Sequence, residues 1–249
     1  MRYRRVLLKL SGESLGGEEG AGLDAEALRL RADDLIEARS LGVCIGVVPG
    51  GGNMLRGATS TLLLNRVTAD CMGMLATVIN ALAVAEQIRS QGVPAFVRAA
   101  FPIKGFVEQF SAEEARALVS DGHIGIFAGG TGNPFFTTDT AAALRALEIG
   151  AEVLLKGTRV DGVFSADPER VAGPRRYERI SYDDVLAANL LFMDRAAIAL
   201  CRDNHLPVVV FNQTRRGAMK RVLMGDPEGT LVGPVETVSS EGSEGVMRP

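Results

Sequence analysis

Short, continuous apolar runs alternate along this chain with longer stretches of helical spacing. The run 6–10 reads as a buried strand, followed by a glycine-rich loop over 11–22. Asp24 is placed to cap a helix reaching about Ser40, with Gly42 as its stop signal. A second buried strand, 43–48, runs directly into Pro49-Gly50-Gly51-Gly52-Asn53. The spacing then predicts a long helix over 65–91 and a short strand over 94–97. Ser111 and Glu114 form a capping box for a helix to about Ser120. Strand 124–127 leads into a special loop, 129–139, and a helix continues to Glu148. Strand 153–156 precedes an irregular segment, 157–179, with turn signals at Asp161-Gly162 and Asp167-Pro168. Ser181 with Asp184 makes another capping box, and a helix over about 194–204 leads into strand 207–211. Residues 234–249 are polar and without periodicity, which predicts a flexible tail behind a single domain over 1–233.

Buried strands alternating with helices are the pattern of a mostly parallel sheet covered on both faces. The expected fold is therefore α/β, a three-layer αβα sandwich. In such sheets ligands bind beyond the carboxyl ends of the strands. The loops at those ends, 9–12, 49–53, 129–138 and 156–167, hold the unusual residues.

Composition narrows the chemistry. A net charge of −3 on 249 residues gives no general grip on a nucleic-acid backbone. Three cysteines in apolar stretches, Cys44, Cys71 and Cys201, read as reduced buried thiols. With 2 histidines and no CxxC, a structural zinc site and a Ser-His-Asp triad are poor fits. The basic start, Met1 to Arg5, is followed by an apolar run too short for a signal peptide. The uncharged apolar stretch 71–85 falls below the roughly 18 residues of a membrane span, so a cytoplasmic protein is expected.

Glycine is in excess, with 29 residues clustered at 16–22, 50–57 and 129–132. Backbone N–H groups free of a Cβ can approach a phosphate closely, and Gly50-Gly51-Gly52-Asn53 at a strand end suits that use. A tight turn would explain the triplet equally well. Arg56 follows one turn on. No lysine is preceded by glycine, so a P-loop is absent, and Gly130-Thr131-Gly132-Asn133-Pro134 breaks the dinucleotide pattern. Lysine is scarce: Lys9, Lys104, Lys156 and Lys220 are the only ones. Lys9 and Lys156 each close an apolar strand. Each alone could be a snorkelling strand-end residue. The repeated context favours a pair that clamps an anion, as phosphoryl transfer requires.

These residues carry a resemblance. Lys9-Leu10-Ser11-Gly12-Glu13, Gly50 to Asn53 with Arg56-Gly57, Asp70 to Thr77, Gly130 to Asp139, and Lys156 with Val160 to Phe164 and Asp167-Pro168 are similar to the bacterial uridylate kinases of the amino acid kinase superfamily. The likeness runs from about residue 5 to 233, and 131–139 is its most specific part. It implies transfer of the γ-phosphate of ATP to UMP. Lys9, Leu10, Ser11, Gly12, Gly52 and Arg56 would then hold the ATP phosphates, and Thr158, Phe164 and Asp167 would border its nucleoside. Gly51, Asp70, Thr131, Gly132, Asn133, Pro134, Phe135, Phe136, Thr137 and Thr138 would bind UMP. Asp70 suits ribose hydroxyls and Thr138 a phosphate. Asp139 would orient Lys9 and Lys156, or merely stabilise a helix start. Together with Arg56 these make the catalytic set. Mg²⁺ would ride on ATP, so no protein metal ligand is expected.

The resemblance also implies a homohexamer built from dimers, activation by GTP through Gly17, Glu18, Glu19, Gly20, Ala21 and Gly22, and inhibition by UTP. That loop could equally be a lid over ATP. The apolar positions of 71–85 fall on all sides of the helix, so it needs a second cover. Burial beneath 100–110 and a symmetric neighbour both meet that need. Two departures from the family stand out: Pro49 before the glycine triplet, which should fix the turn, and Gly157 after Lys156, which should loosen a loop. Another phosphotransferase of the superfamily and a non-catalytic nucleotide-binding regulator are the alternative functions. The segment 133–138 argues against the first, and Lys9 with Arg56 against the second.

Overall fold

Short valine-, isoleucine- and leucine-rich runs fit strands of a sheet covered on both faces. A computed structural model, describing residues 1–55, 64–166, 171 and 173–239, has this arrangement. Its central strands are Arg5–Leu10 (β1), Cys44–Pro49 (β2), Ala95–Ala99 (β3), Glu108–Gln109 (β4), Ile124–Ala128 (β5) and Val153–Thr158 (β6). Tyr177–Ser181 (β7), Val208–Asn212 (β8), Thr230–Gly233 (β9) and Val238–Ser239 (β10) complete one ten-stranded sheet, ordered β10-β7-β9-β8-β6-β1-β2-β5-β3-β4. The β8–β9 and β7–β10 pairs are antiparallel; the other neighbours are parallel.

Alternation along each strand feeds two cores. Val6, Leu8 and Leu10 face one; Leu7 faces the other, as does Leu154 from β6. The first core lies beneath Ala25–Ser40 (α1), Arg66–Arg89 (α3) and Ala218–Met224 (α8), and a short helix, Gly52–Leu55 (α2), follows β2. The second lies beneath Ala112–Ser120 (α4), Thr138–Ile149 (α5), Tyr182–Ala187 (α6) and Arg195–Asp203 (α7). The αβα sandwich is thus present. Asp24, Asn65 and Asp194 cap α1, α3 and α7 by accepting the N–H three residues on, each contact contributing about 1 kcal/mol.

Several expectations need correction. Ser111 makes no side-chain cap on α4, and the Glu114 carboxylate that would complete the capping box pairs instead with Arg98, 2.5 Å from Nη2. The tail does not begin at 234: β10 pairs with β7, and Thr237 Oγ1 donates to Asp184. Pro49 is the last residue of β2, directly before the glycine triplet. Gly157 lies inside β6, paired with Phe211, and so loosens no loop. Of the cysteines only Cys201 is buried; Cys71 is exposed on α3.

Helix α3 is long and apolar enough, by length and composition, to cross a membrane. Here Val78, Ala81, Val84, Ala85 and Ile88 pack into the first core. Leu75, Ile79 and Leu82 form an outward stripe, 50%, 50% and 37% exposed, which the 100–110 segment leaves uncovered.

Candidate active site

The register of the central strands places the two strand-closing lysines side by side. Lys9 of β1 pairs directly with Lys156 of β6, and the two-residue period puts both on the face shared with Leu7 and Leu154. Helix α5 begins over that face. Its first turn carries Asp139, whose Oδ1 lies 3.3 Å from Lys9 Nζ and whose two oxygens each lie 2.6 Å from Lys156 Nζ. The carboxylate therefore bridges the pair, and its place near the helix N-terminus adds to its stabilisation.

The electrostatics follow from burial. Lys156 is 5% exposed. Desolvation, then repulsion from Lys9, pulls its pKa down to about 8 against the opposing pull of Asp139. Burial pushes Asp139 upward, but attraction to Lys9 and Lys156 outweighs it and holds the carboxyl below its usual range. A second carboxylate, Asp194, stands behind. It accepts hydrogen bonds from Thr137 Oγ1 and Thr140 Oγ1, so the N-terminus of α5 is fixed to that of α7.

Beside this cluster is a cavity of about 350 Å³. Gly51, Gly52, Asp70, Gly73, Met74, Thr77, Thr131, Asn133, Phe136, Thr137 and Thr138 are among its walls. The loops after β1 and β2 interlock at Gly12, where an added Cβ would fall 2.7 Å from Asn53 Oδ1 and 2.8 Å from Gly50 O, so only glycine fits. Asn53 and Asn80 exchange amide hydrogen bonds at 3.0 and 2.7 Å, and Asn80 also donates to Gly50 O at 2.6 Å. The glycine triplet is thus anchored to the buried side of α3. Gly22 N donates to Asn53 O, tying the end of the 17–22 segment to the same anchor.

The 129–138 loop is held at three points. Gly129 N donates to Thr77 Oγ1 at 2.8 Å, Phe135 N donates to Asp70 Oδ2 at 2.7 Å, and Thr137 reaches Asp194. Gly132, Pro134 and Phe135 belong to this loop without lining the cavity. Leu10 is buried in the first core, and Ser11 opens the loop after β1. Thr158 turns inward, donating to Val160 O at 2.8 Å and Phe211 O at 3.2 Å. Phe164 is half-buried and bridges to Arg176. Arg56 and Asp167 lie outside the described residues. Asp194 and Asn80 were not singled out from the sequence, and Thr77 entered only as the end of the resembling segment 70–77. In the sequence Asp194 marks only the approximate start of a helix, whereas the signal for Asn80 was a polar residue inside an apolar helix. Among the described residues no group of three or more His, Cys, Asp and Glu side chains comes together as a metal site.

A lysine pair at the carboxyl ends of two central strands, bridged by a helix carboxylate, beside a glycine-walled cavity on an αβα sandwich, defines the class. The sequence matches the Amino acid kinase family over residues 4–212, and the chain belongs to that family. Within it, the chain is 50% identical over 231 residues to the uridylate kinase of Sodalis glossinidius (strain morsitans), covering 92% of this chain and 96% of that protein. The uridylate kinase of Yersinia pestis (strain Pestoides F) matches to the same extent. Among solved structures, UMP kinase from Bacillus anthracis superimposes with a TM-score of 0.93 at 34% identity, over 96% of this chain and 100% of that one. Uridylate kinase from Archaeoglobus fulgidus gives 0.70 at 26% identity, over 92% and 99%.

Proposed function

We propose that this chain transfers the γ-phosphate of ATP to UMP, giving UDP and ADP. The observation that carries the reading is the Lys9–Asp139–Lys156 cluster, whose carboxylate follows directly on Thr137 and Thr138 in the wall of the glycine-lined cavity. UMP occupies that cavity against Gly51, Asp70 and 131–138. The ATP phosphates lie over Lys9 to Gly12 and Gly52 with Thr158 and Phe164 bordering the nucleoside, and the likeness to uridylate kinases assigns Arg56 to the phosphates and Asp167 to the nucleoside.

An oxygen of the UMP phosphate attacks the γ-phosphorus in line, the bond to the β–γ bridging oxygen breaks, and ADP leaves. A phosphate monoester is already ionised near pH 7, so the chain supplies no general base. Lys9 and Lys156 stabilise charge on the transferring group, and Asp139 keeps both ammonium groups aimed. Mg²⁺ enters on the ATP oxygens as part of the substrate. The enzyme acts in the cytoplasm in pyrimidine nucleotide synthesis. It works as a homohexamer that GTP activates through 17–22 and UTP inhibits.

A coupled assay across nucleoside monophosphates tests the reading. UMP is expected to exceed CMP by about 10⁴ in kcat/KM, because a pocket built for one base edge leaves polar groups unpaired against another. Comparable turnover of CMP, or none with any nucleotide, would overturn it. Lys9→Ala and Arg56→Ala are each expected to lower turnover by roughly 10² or more with the fold retained.

A further inference from the structure

The first residue of α3 is Arg66, which no element of the proposed mechanism uses. A guanidinium in the first turn of a helix sits at the wrong end of the macrodipole. Its pairing with Asp70, four residues on, has the less favourable order for a helical ion pair. An exposed pair of this kind adds little to stability, and Arg66 is 59% exposed. Helix stability therefore does not account for it.

What Arg66 touches does. Its Nε donates to both oxygens of Asp70, at 2.9 and 2.8 Å. The same Asp70 Oδ2 accepts from Phe135 N at 2.7 Å. The guanidinium carbon lies 5.7 Å from the centre of the Phe135 ring, within cation–π range. Phe135 has φ of 73°, a left-handed conformation that an aromatic residue adopts only when its surroundings hold it there. Its side chain is 66% exposed, so no core packing supplies that restraint. Three groups thus close a clasp: Arg66 orients Asp70, Asp70 holds the Phe135 N–H, and the Phe135 ring returns to Arg66. The clasp fastens the 131–136 segment to α3 at one end of the cavity, and Thr77 fastens Gly129 two helical turns further along.

We propose that Arg66 is a positioning residue for the phosphate acceptor, holding Asp70 and the 131–136 segment in the arrangement that receives the nucleoside monophosphate. The inference rests on the UMP kinase reading for its substrate and on the clasp alone for its geometry. Arg66 touches no reacting atom. Its loss leaves Asp70 free to rotate and Phe135 free to relax out of its left-handed conformation, so the acceptor must order the segment as it binds.

The test compares Arg66→Gln and Arg66→Lys with the unmodified protein. Arg66→Gln is expected to raise KM for UMP about tenfold, with kcat and KM for ATP changed by less than about twofold, the pattern of lost uniform binding. Arg66→Lys keeps the charge but lacks the planar fork, and is expected to recover only part of the loss. Hydrogen exchange across 131–137, measured without nucleotide, is expected to quicken in Arg66→Gln, while the melting temperature stays within about 2 °C. Unchanged exchange overturns the clasp. Faster exchange with an unchanged KM for UMP overturns the positioning role, and a large fall in melting temperature makes Arg66 merely structural. An unmodified protein that phosphorylates no UMP sinks the functional reading instead, and the exchange measurement still judges the clasp.

Discussion

Lys156 is the residue whose protonation state the fold has made negotiable. Its pKa near 8 means that the free protein loses this charge as pH rises through that value. The profile of kcat/KM for ATP, which reports the free enzyme, is expected to fall above about pH 8. Bound phosphates favour the ammonium, so the falling limb of kcat should lie at higher pH. Superimposable limbs would remove Lys156 from contact with the nucleotide. Linkage works in the same window. The unfolded chain keeps the proton up to about 10.4 while the native state releases it near 8, so this group's contribution to stability rises with pH between those values. Gly157, next in sequence, has a separate task. It pairs with Phe211, and a Cβ there would run into Gln213 Oε1. Gln213 is 4% exposed, and its carboxamide atoms have no hydrogen-bond partner among the described residues. Gly157→Ala is expected to destabilise by about 1–2 kcal/mol through overpacking. In a Gln213→Ala background the same change should stabilise by about 0.5–1 kcal/mol, since glycine in a strand interior is otherwise a cost. Denaturant unfolding of the four proteins checks the change of sign; a cycle without coupling rejects it.

At the scale of elements, α3 does two jobs on two faces. Asp70, Thr77 and Asn80 face the loops of the site, while Leu75, Ile79 and Leu82 face outward. Asn80→Leu removes both the donor to Gly50 O and the partner of Asn53, leaving those groups unsatisfied. It is expected to cost about 1–3 kcal/mol in stability and to weaken ATP binding, because the glycine triplet loses its anchor. Undiminished ATP affinity in that variant would disconnect the anchor from the site. The central strands were legible in the sequence because burial on both faces writes an uninterrupted apolar run, and the cap Asp24 announced its helix. The far edge of the sheet was not. β7 carries Glu178 and Arg179 outward and β9 is 4 residues long, so neither leaves a run to read. The site was legible where chemistry is concentrated, in Lys9, Asp139, Lys156 and 131–138. It was not legible where ordinary residues gain a role from distant contacts: Arg66 resembles a surface arginine and Asp194 a cap until their partners are known.

For the whole molecule, the outward stripe of α3 makes a clear separation possible. Ile79→Asp and Leu82→Asp place a charge on positions the single chain leaves exposed, and are expected to lower the particle mass seen by light scattering without unfolding the subunit. Val84→Asp, at a fully buried position of the same helix, is expected to unfold it. An unmodified protein that is monomeric and active at micromolar concentration would falsify the assembly and any effector control that depends on subunit contacts. The pairing of Lys9 with Lys156 has a further consequence, for synthesis and folding. The two residues face each other across one rung of the β1–β6 ladder, yet nearly the whole first half of the chain and the helix bearing Asp139 lie between them. No fragment ending before β6 can contain the site, and no collapsed intermediate with β6 displaced by one residue can either, since that slip turns Lys156 to the opposite face of the sheet. Contacts this remote in sequence close late and slowly. Activity in this chain is therefore a certificate of completed topology: a subunit that turns over substrate has already threaded its middle strands in order.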